Sequence, residues 1–357
     1  MPKILFIAIH RPGRSPSQRF RFEQYLTFLQ QKGWQYDFSN LISARNDKIF
    51  YQKGHVIKKA FIFFKSIIIR CNDLLRASKY DVIFIQREAF FTGTTFFERR
   101  LAKSSAKVIF DFDDAIWLPN VSSANKKLEW LKDGEKARKI IAVSDLVIGG
   151  NQFLVDYALA FNRNSIVIPT TIDFKHHQIK NVKPSGKISI GWTGTATTLP
   201  YLEAILPLLV QLKLKYKEAI DFKIIVDVDK TYASLNASTT PWNRANEIEE
   251  LNKIDIGIMP LPDNQWTQGK CGFKGLQYMS LGIPTIMSPV GVNTEIIEEG
   301  VNGFLANSAE EWITKISQLI DSKELRTTIG EEGRKTVKDK YSVEANKQKY
   351  LDAFNGV

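Results

Sequence analysis

The chain has 357 residues, of which 44% are hydrophobic and 24% charged, so collagen-like, disordered and disulfide-stapled proteins are excluded. Two α/β domains of about 150 residues each would fit this length. Residues 1–168 carry a net charge of +12 and residues 169–357 a net charge of −1, together the +11 of the whole chain. This asymmetry favours an anionic partner such as a phospholipid surface, a pyrophosphate-linked substrate or nucleic acid, unless it is a solvated basic face.

Cys71 and Cys271 are too far apart in sequence to suggest a zinc site or a disulfide framework, which favours a reducing, cytoplasmic compartment. The first ten residues predict a strand rather than a signal peptide. The longest apolar stretch, residues 60–69, is interrupted by Lys65 and is shorter than the roughly 20 residues of a membrane span. We therefore expect no transmembrane helix.

The first half alternates strand-like and helix-like segments. Residues 19–32 have helical spacing of their apolar residues and Gly33 is placed to end that helix. Apolar runs predict strands at 3–9, 81–86, 107–111, 146–149 and 165–169. This alternation is typical of a mostly parallel sheet with helices on both faces, which we assign to residues 1–168.

Residues 169–186 are polar, contain two prolines and predict a linker. After it the alternation resumes, with a helix at 199–216 and strands at 187–192, 222–228, 254–259 and 285–288. We therefore expect a second domain over 187–340 and a C-terminal helix over 341–357 that could pack back on the first domain. The predicted fold class is α/β, with two doubly wound Rossmann-like domains facing each other across a cleft.

The loop after the first strand, HRPGRSPSQRFRFEQY at residues 10–25, is rich in arginine. Its four candidate residues for binding an acceptor or a phosphate are His10, Arg14, Arg19 and Arg21. The alternative is that these arginines only stack on Phe20, Phe22 and Tyr25. The four histidines of the chain are too dispersed for a metal cluster.

Residues 45–80 carry nine basic and two acidic residues around the apolar run FIFFKSIII. A basic amphipathic helix with large apolar residues is typical of membrane-surface binding, and we expect an anionic membrane surface as a partner. A helix that packs on its own domain is the alternative.

The segment KVIFDFDDAIW, residues 107–117, places carboxylates at the end of a predicted strand. Asp113 and Asp114 could orient the hydroxyl groups of a ligand, act as a base on one of them or hold a divalent metal. Asp111 and Asp113 also match the short D-x-D metal motif of the GT-A glycosyltransferase fold, and Asp114 could instead cap the following helix.

The strongest local pattern is WTQGKCGFKGLQYMSLGIPTIMSPVG, residues 266–291. A Gly-rich and Lys-rich loop follows a buried strand and precedes a helix that Gly282 and Pro284 end. Ligands bind at the carboxyl edge of such sheets, and a helix start favours phosphate. Lys270 and Lys274 could neutralise a diphosphate as it leaves, or they could be two surface lysines beside a turn.

These motifs resemble the nucleotide-binding half of the group 1 (family 4) glycosyltransferases, which have the two-domain GT-B fold. The resemblance continues in GVNTEIIEEGVNGFL, residues 291–305, and covers residues 187–340 more closely than the first half. In the first half SPSQRFRFEQY, residues 15–25, resembles a subgroup that makes bacterial surface polysaccharides. The resemblance implies transfer of a sugar from a nucleotide sugar to an acceptor, usually with retention of anomeric configuration.

Carried over residue by residue, the resemblance implies a set of donor-binding residues: Gly194, Thr195, Lys270, Gly272, Phe273, Lys274, Gln277, Gly291 and Glu295. The family's two glutamates, which have seven residues between them, would fall near Gly269 and Gln277, so neither carboxylate is present here. The family's basic pair after the first strand of this domain is replaced by GWTGTATT, residues 191–198. The charge on the diphosphate would then be neutralised by Lys270 and Lys274.

The hypothesis that follows is a cytoplasmic, peripherally membrane-bound glycosyltransferase with Asp113, Asp114 and Lys274 as catalytic residues. Its partners would be a nucleotide sugar and a glycan or polyprenyl-linked acceptor, without nucleic acid, and it would need neither a cofactor nor a metal. A nucleotide-sugar epimerase of the same fold and a non-enzymatic basic module for membrane or nucleic acid are the alternatives.

Overall fold

The computed structural model describes residues 1–52, 54–118, 133–180 and 186–357, which form two compact units. The first unit contains Met1–Thr170 and Asn346–Val357, and the second contains Thr171–Ala345. Each unit has a sheet of its own covered by helices. The predicted α/β class with two sheet-containing domains is confirmed.

The first unit is built on a parallel sheet with the strand order β2-β1-β3-β4-β5-β6. Its strands are β1 (Lys3–His10), β2 (Gln35–Ile42), β3 (Val82–Gln86), β4 (Lys107–Phe112), β5 (Leu146–Gly149) and β6 (Ser165–Val167). All of β3 and nearly all of β4 is buried, because a parallel sheet is covered on both faces. The sequence predicts five of these strands and misses β2, whose QYDFSNLI has no continuous apolar run.

Seven helices of the first unit are described before its C-terminal segment: α1 (Pro16–Arg21), α2 (Leu26–Gln31), α3 (Ala44–Tyr51), α4 (Val56–Arg76), α5 (Phe96–Leu101), α6 (Lys136–Ile141) and α7 (Gln152–Leu159). The single helix predicted over 19–32 is wrong. Phe22 has φ −125°, outside the helical range, and a short 3₁₀ turn at Glu23–Tyr25 separates α1 from α2.

The C-terminal helix α16 (Val343–Asn355) belongs to the first unit from Asn346 onward. The ring centroid of its Tyr350 lies 4.3 Å from that of Tyr25, and Phe354 packs its ring 6.2 Å from Phe6 and 5.8 Å from Trp34. Tyr350 and Phe354 are buried. The last residues of the chain therefore complete the aromatic core of the first unit.

The second unit has a sheet with the strand order β13-β12-β11-β7-β8-β10-β9. Its strands are β7 (Ile188–Thr193), β8 (Ile220–Val226), β9 (Thr231–Tyr232), β10 (Ala237–Pro241), β11 (Ile256–Met259), β12 (Thr285–Met287) and β13 (Phe304–Leu305). Their pairings are parallel except between β9 and β10. Polar residues fill β9 and β10, which explains why their sequence predicts no strand.

The remaining helices of the second unit are α8 (Leu199–Ala204), α9 (Leu206–Tyr216), α10 (Glu247–Leu251), α11 (Gln265–Gln268), α12 (Phe273–Ser280), α13 (Asn293–Ile296), α14 (Ala309–Asp321) and α15 (Lys323–Lys340). The helix predicted over 199–216 is divided into α8 and α9. Pro207 has no N–H to donate to the preceding turn, so the chain restarts its helix at Leu206.

Candidate functional site

The loop after β7 forms one side of the candidate site in the second unit. Gly194 N donates to the Ile225 carbonyl at 2.9 Å, which ties the loop to β8. A Cβ at Gly194 would lie 2.2 Å from the Trp192 ring, so the backbone passes against that indole only because Gly194 has no side chain. The loop is therefore held closely against a buried tryptophan.

Threonine hydroxyls of this loop bond to one another and, at Thr198, to α12. Thr195 Oγ1 and Thr197 Oγ1 lie 2.8 Å apart, and Lys274 Nζ donates to Thr198 Oγ1 at 3.3 Å. On the other side of the loop, Thr193 N donates to the Tyr278 hydroxyl at 2.8 Å. The structure thus brings the predicted loop and the predicted lysine helix together at one edge of the sheet.

Lys274 is a half-buried cation that stacks on an indole. Its Nζ lies 4.7 Å from the centroid of the Trp192 ring, and Lys270 Nζ lies the same distance from the Trp266 ring. Burial and the positive charge of Lys270 lower the pKa of Lys274 to about 7. Within the described parts of the chain no carboxylate is paired with Lys274, so this position favours an anion.

The helix α12 starts at the same edge with a glycine in the left-handed region. Gly272 has φ +65°, and a Cβ there would lie 2.3 Å from Ile296 Cδ1. Gly291 has φ +52°, and its Cβ would lie 2.7 Å from the Gln268 carbonyl oxygen. Gly272 lets the start of α12 pack closely on α13, and Gly291 lets the segment after β12 pack closely on α11. The N-terminal end of α12 lies beside Lys270 and Lys274 and favours a phosphate.

Gln277 is next to a carboxylate that sequence reasoning missed. Its Nε2 donates to Glu247 Oε1 at 3.2 Å, and Trp242 Nε1 donates to the same oxygen at 3.3 Å. Both Gln277 and Glu247 are buried. Glu247 comes from α10, and the only signal for it in the sequence is the acidic start of that helix.

The other two predicted donor residues occupy different environments. Phe273 is half-buried in the first turn of α12, and Glu295 is exposed on α13. The negative charge of Glu295 adds to burial in raising the pKa of Tyr341 to about 12. Their assignment to donor binding stays a prediction.

In the first unit, Asp113 and Asp114 share one arginine that the sequence analysis did not single out. Arg87 Nε donates to Asp113 Oδ1 at 2.7 Å, and a second guanidinium nitrogen of Arg87 pairs with Asp114. Burial opposes the ionisation of Asp113, but Arg87 outweighs it and the pKa of Asp113 is lowered. Ser17 Oγ also donates to Asp113 Oδ1 at 2.7 Å.

Arg87 has a strained backbone, with φ +60° in a residue that carries a side chain. It directly follows the buried strand β3, and that position is the one signal in the sequence that could have identified it. The geometry holds two carboxylates at the carboxyl end of the first sheet, where they can orient a hydroxyl group.

The predicted arginine group is divided by the structure. Arg21 is fully buried, pairs with Asp111 at 2.5 Å and also donates to the Ile168 carbonyl. The sequence placed it beside Arg14 and Arg19 as an anion ligand, but its charge is neutralised inside the unit by Asp111. Arg19 stacks on Phe20 at 4.8 Å, as the alternative interpretation expected.

Arg14 lies at another carboxylate, together with Arg11. Arg14 Nε and Arg11 Nη1 donate to Asp47 Oδ2 at 2.6 and 2.8 Å. The nearby His10 has its Nε2 3.1 Å from the Tyr51 hydroxyl. Burial and the charge of Arg14 lower the pKa of His10 to about 4, so this imidazole is neutral at neutral pH.

In residues 1–52, 54–118, 133–180 and 186–357 no group of three or more His, Cys, Asp or Glu side chains is arranged to hold a metal ion. No helix in these ranges is both long and apolar enough to cross a lipid bilayer.

Comparison with known proteins identifies a family for part of the second unit. Residues 204–322, about a third of the chain, match the family model of the Glycosyl transferases group 1. This match lies within the residues whose motifs carry the resemblance and confirms it. No curated protein sequence matches this chain.

Solved structures match the chain over its whole length. A glycosyltransferase from Rickettsia africae is 16% identical, with a TM-score of 0.69 and 99% and 98% of the two chains covered. Sucrose-phosphate synthase from Thermosynechococcus elongatus is 13% identical, with a TM-score of 0.71 and full coverage of both chains. Anabaena HepE in complex with UDP-glucose is 13% identical, with a TM-score of 0.67 and coverage of 99% and 100%. These likenesses confirm the GT-B fold.

Proposed function

We propose that this chain, which carries a group 1 glycosyltransferase domain, transfers a sugar from a nucleoside diphosphate sugar to a glycan or lipid-linked acceptor. The observation that carries the proposal is Lys274, a cation whose pKa is lowered beside a second lysine at the start of α12. A diphosphate beside Lys274 would offset the burial and the repulsion from Lys270 that disfavour its charged form.

The lysines would act on the leaving group. As the bond between the anomeric carbon and the diphosphate breaks, negative charge grows on the phosphate oxygens and positive charge on the sugar ring. Lys270, Lys274 and the N-terminal end of α12 would stabilise that developing negative charge. No metal ion is required for this neutralisation, which is why we propose metal-independent transfer.

Other side chains would select the nucleoside and orient the acceptor. Glu247, held by Gln277 and Trp242, offers a buried carboxylate that could accept hydrogen bonds from sugar hydroxyls of the nucleoside. In the first unit Asp113 is kept ionised by Arg87, which suits orienting an acceptor hydroxyl better than removing its proton. Retention of configuration and a role in bacterial surface-polysaccharide synthesis complete the proposal, and both rest on the family resemblance.

A thermal-shift panel of UDP, GDP, ADP, CMP and their sugar conjugates tests the proposal on wild type and Lys274→Ala. UDP-glucose is the first donor to test because HepE, a protein of the same fold, binds it. One nucleoside diphosphate should stabilise the wild type, by about 2.7 kcal/mol at a hundredfold excess over Kd, and Lys274→Ala should lose most of this shift. Sugar transfer to a lipid-linked acceptor should fall in parallel.

Lys335→Ala is the matched control, because Lys335 is a lysine of the same unit whose side chain is 68% exposed. It should behave as the wild type. The lysine assignment fails if Lys274→Ala keeps full transfer or if the shift requires magnesium or manganese and disappears with chelator. Conversion of the nucleotide sugar to an epimer in the absence of acceptor would instead establish an epimerase.

A further inference from the structure

The surface helix α4 exposes a continuous row of large apolar side chains. Ile57, Phe61 and Leu75 are 87%, 70% and 84% exposed, and Phe64 and Ile68 are exposed between them. These five residues, here called the α4 stripe, follow one another at intervals of four, three, four and seven residues. This spacing places them along one side of a helix.

The opposite side of α4 packs on its own unit and carries both apolar and polar side chains. Ile62, Ser66, Arg70 and Asp73 are buried there, and the Phe63 ring lies 5.5 Å from that of Phe90. Arg70 pairs with Asp73 at 2.9 Å and donates to Ser39 Oγ and to the Ala8 carbonyl at 2.9 Å. The helix therefore already has a packed side, and that packing does not account for the five exposed apolar side chains of the α4 stripe.

The charge around the α4 stripe is positive. Lys58 and Lys65 are exposed beside it, and none of the described carboxylates forms an ion pair with either. The two acids of residues 45–80 are already engaged, Asp47 with Arg11 and Arg14, and Asp73 with Arg70 and Arg76. The surface therefore combines exposed apolar groups with uncompensated positive charge.

We propose that the α4 stripe docks the chain on an anionic lipid surface. The apolar side chains enter the boundary between headgroups and acyl chains, while Lys58 and Lys65 contact the lipid phosphates. A second copy of the chain is a poorer occupant because pairing two stripes would bring like-charged lysines together. The proposal is independent of the sugar-transfer reaction and concerns a different part of the first unit.

Vesicle flotation of the full-length protein tests the proposal. The wild type should float with vesicles of phosphatidylcholine and 30% phosphatidylglycerol, on the order of tenfold more tightly than with pure phosphatidylcholine vesicles, and raised salt should weaken it. The double variant Ile57→Gln with Phe61→Gln should lose binding at least tenfold. Lys58→Gln with Lys65→Gln should weaken binding to anionic vesicles by up to about tenfold, towards the level of neutral ones, without changing binding to neutral vesicles.

Leu214→Gln is the matched control, since Leu214 is an apolar residue on α9 of the second unit and is 70% exposed. This variant should float as the wild type does. Far-ultraviolet circular dichroism checks that all variants keep their helices. All four substitutions in α4 introduce glutamine, which is compatible with a helix. A loss of flotation with an unchanged circular dichroism spectrum therefore supports docking.

Three results would overturn the proposal. Wild-type protein that does not float with anionic vesicles has no lipid-docking surface. Flotation that survives both α4 double variants comes from elsewhere in the chain. A second copy of the chain would cover the stripe if the wild type is a dimer by light scattering and Ile57→Gln with Phe61→Gln is a monomer, with neither protein binding vesicles.

Discussion

The environment of Lys274 favours an anionic ligand. Its ammonium group is half-buried on the Trp192 ring, it donates a hydrogen bond to the neutral Thr198 hydroxyl, and Lys270 repels it. Burial and Lys270 disfavour the charged form, whereas the indole favours it. A bound dianion would reverse that balance by placing negative charge beside both lysines.

The pH dependence of ligand binding follows from the pKa of Lys274. In the free protein this amine loses its proton near pH 7, and a bound diphosphate raises its pKa, so binding takes up a proton above pH 7. The affinity for the nucleoside diphosphate should therefore fall as pH rises from 7 to 9, by up to about tenfold per unit. Isothermal titration calorimetry in buffers of different ionisation enthalpy measures both the affinity and the proton uptake.

Lys274→Arg separates this effect from other titrations. Arginine keeps its charge throughout this range, so the variant should bind with a flatter pH profile and without proton uptake. A wild-type affinity that is constant between pH 7 and 9 would contradict the assignment.

At the scale of elements, the start of α12 depends on Gly272. Alanine there must adopt φ +65° and place its Cβ 2.3 Å from Ile296 Cδ1, which should cost about 2–5 kcal/mol of stability and weaken nucleotide binding. Gly300→Ala is the matched control, with φ +74° but its nearest atom at 4.0 Å, and it should cost about 1–2 kcal/mol. Urea unfolding and calorimetric titration of both variants measure the difference, and equal losses would contradict a special role for the Gly272 contact.

The sequence predicts those elements whose pattern is local. The buried strands β3, β4 and β11 have continuous apolar runs, and the loop and helix around Lys270 and Lys274 carry their own glycines and turn residues. The sequence does not predict strand β2 or the helix break at Phe22, because packing in the folded unit determines both. It does not predict the break at Pro207, because the apolar residues keep a helical spacing on both sides of that single proline. Local pattern is thus a good guide where burial is uniform.

The site was predictable only in part, for a related reason. The family resemblance assigned both the loop after β7 and the start of α12 to donor binding, and in the structure Lys274 of α12 bonds to Thr198 of that loop. The pairings of Arg87 with Asp113 and of Gln277 with Glu247 join side chains far apart in sequence. Such pairings depend on side-chain direction in the folded unit, which residue spacing does not contain. The burial of Arg21 against Asp111 has the same origin.

At the scale of the whole molecule, the two units have different surfaces. The basic excess belongs to the first half of the sequence, and the second half is close to neutral. The α4 stripe lies in the basic unit, whereas the lysine pair of the candidate donor site lies in the other. A membrane-docking surface and a nucleotide site on separate units can be varied without disturbing each other.

The helix α16 should couple the end of the chain to the stability of the first unit only. Tyr350→Ala removes a buried ring that packs 4.3 Å from Tyr25 and should cost about 3–5 kcal/mol. Hydrogen exchange measured by mass spectrometry should show faster exchange in β1 and β3 and unchanged exchange in β7 and β11. Equal acceleration in both sheets would contradict this assignment of α16.

The return of the chain to its first unit also fixes an order of events during synthesis. The ribosome releases Met1–Thr170 before the second unit, whereas Tyr350 and Phe354 leave the exit tunnel only after it. Until these two residues are released, Tyr25, Phe6 and Trp34 lack the rings that cover them in the folded unit. The unit that starts first is therefore completed only after the second has been made, and its nascent form presents an uncovered aromatic surface to chaperones while the second unit is already able to fold.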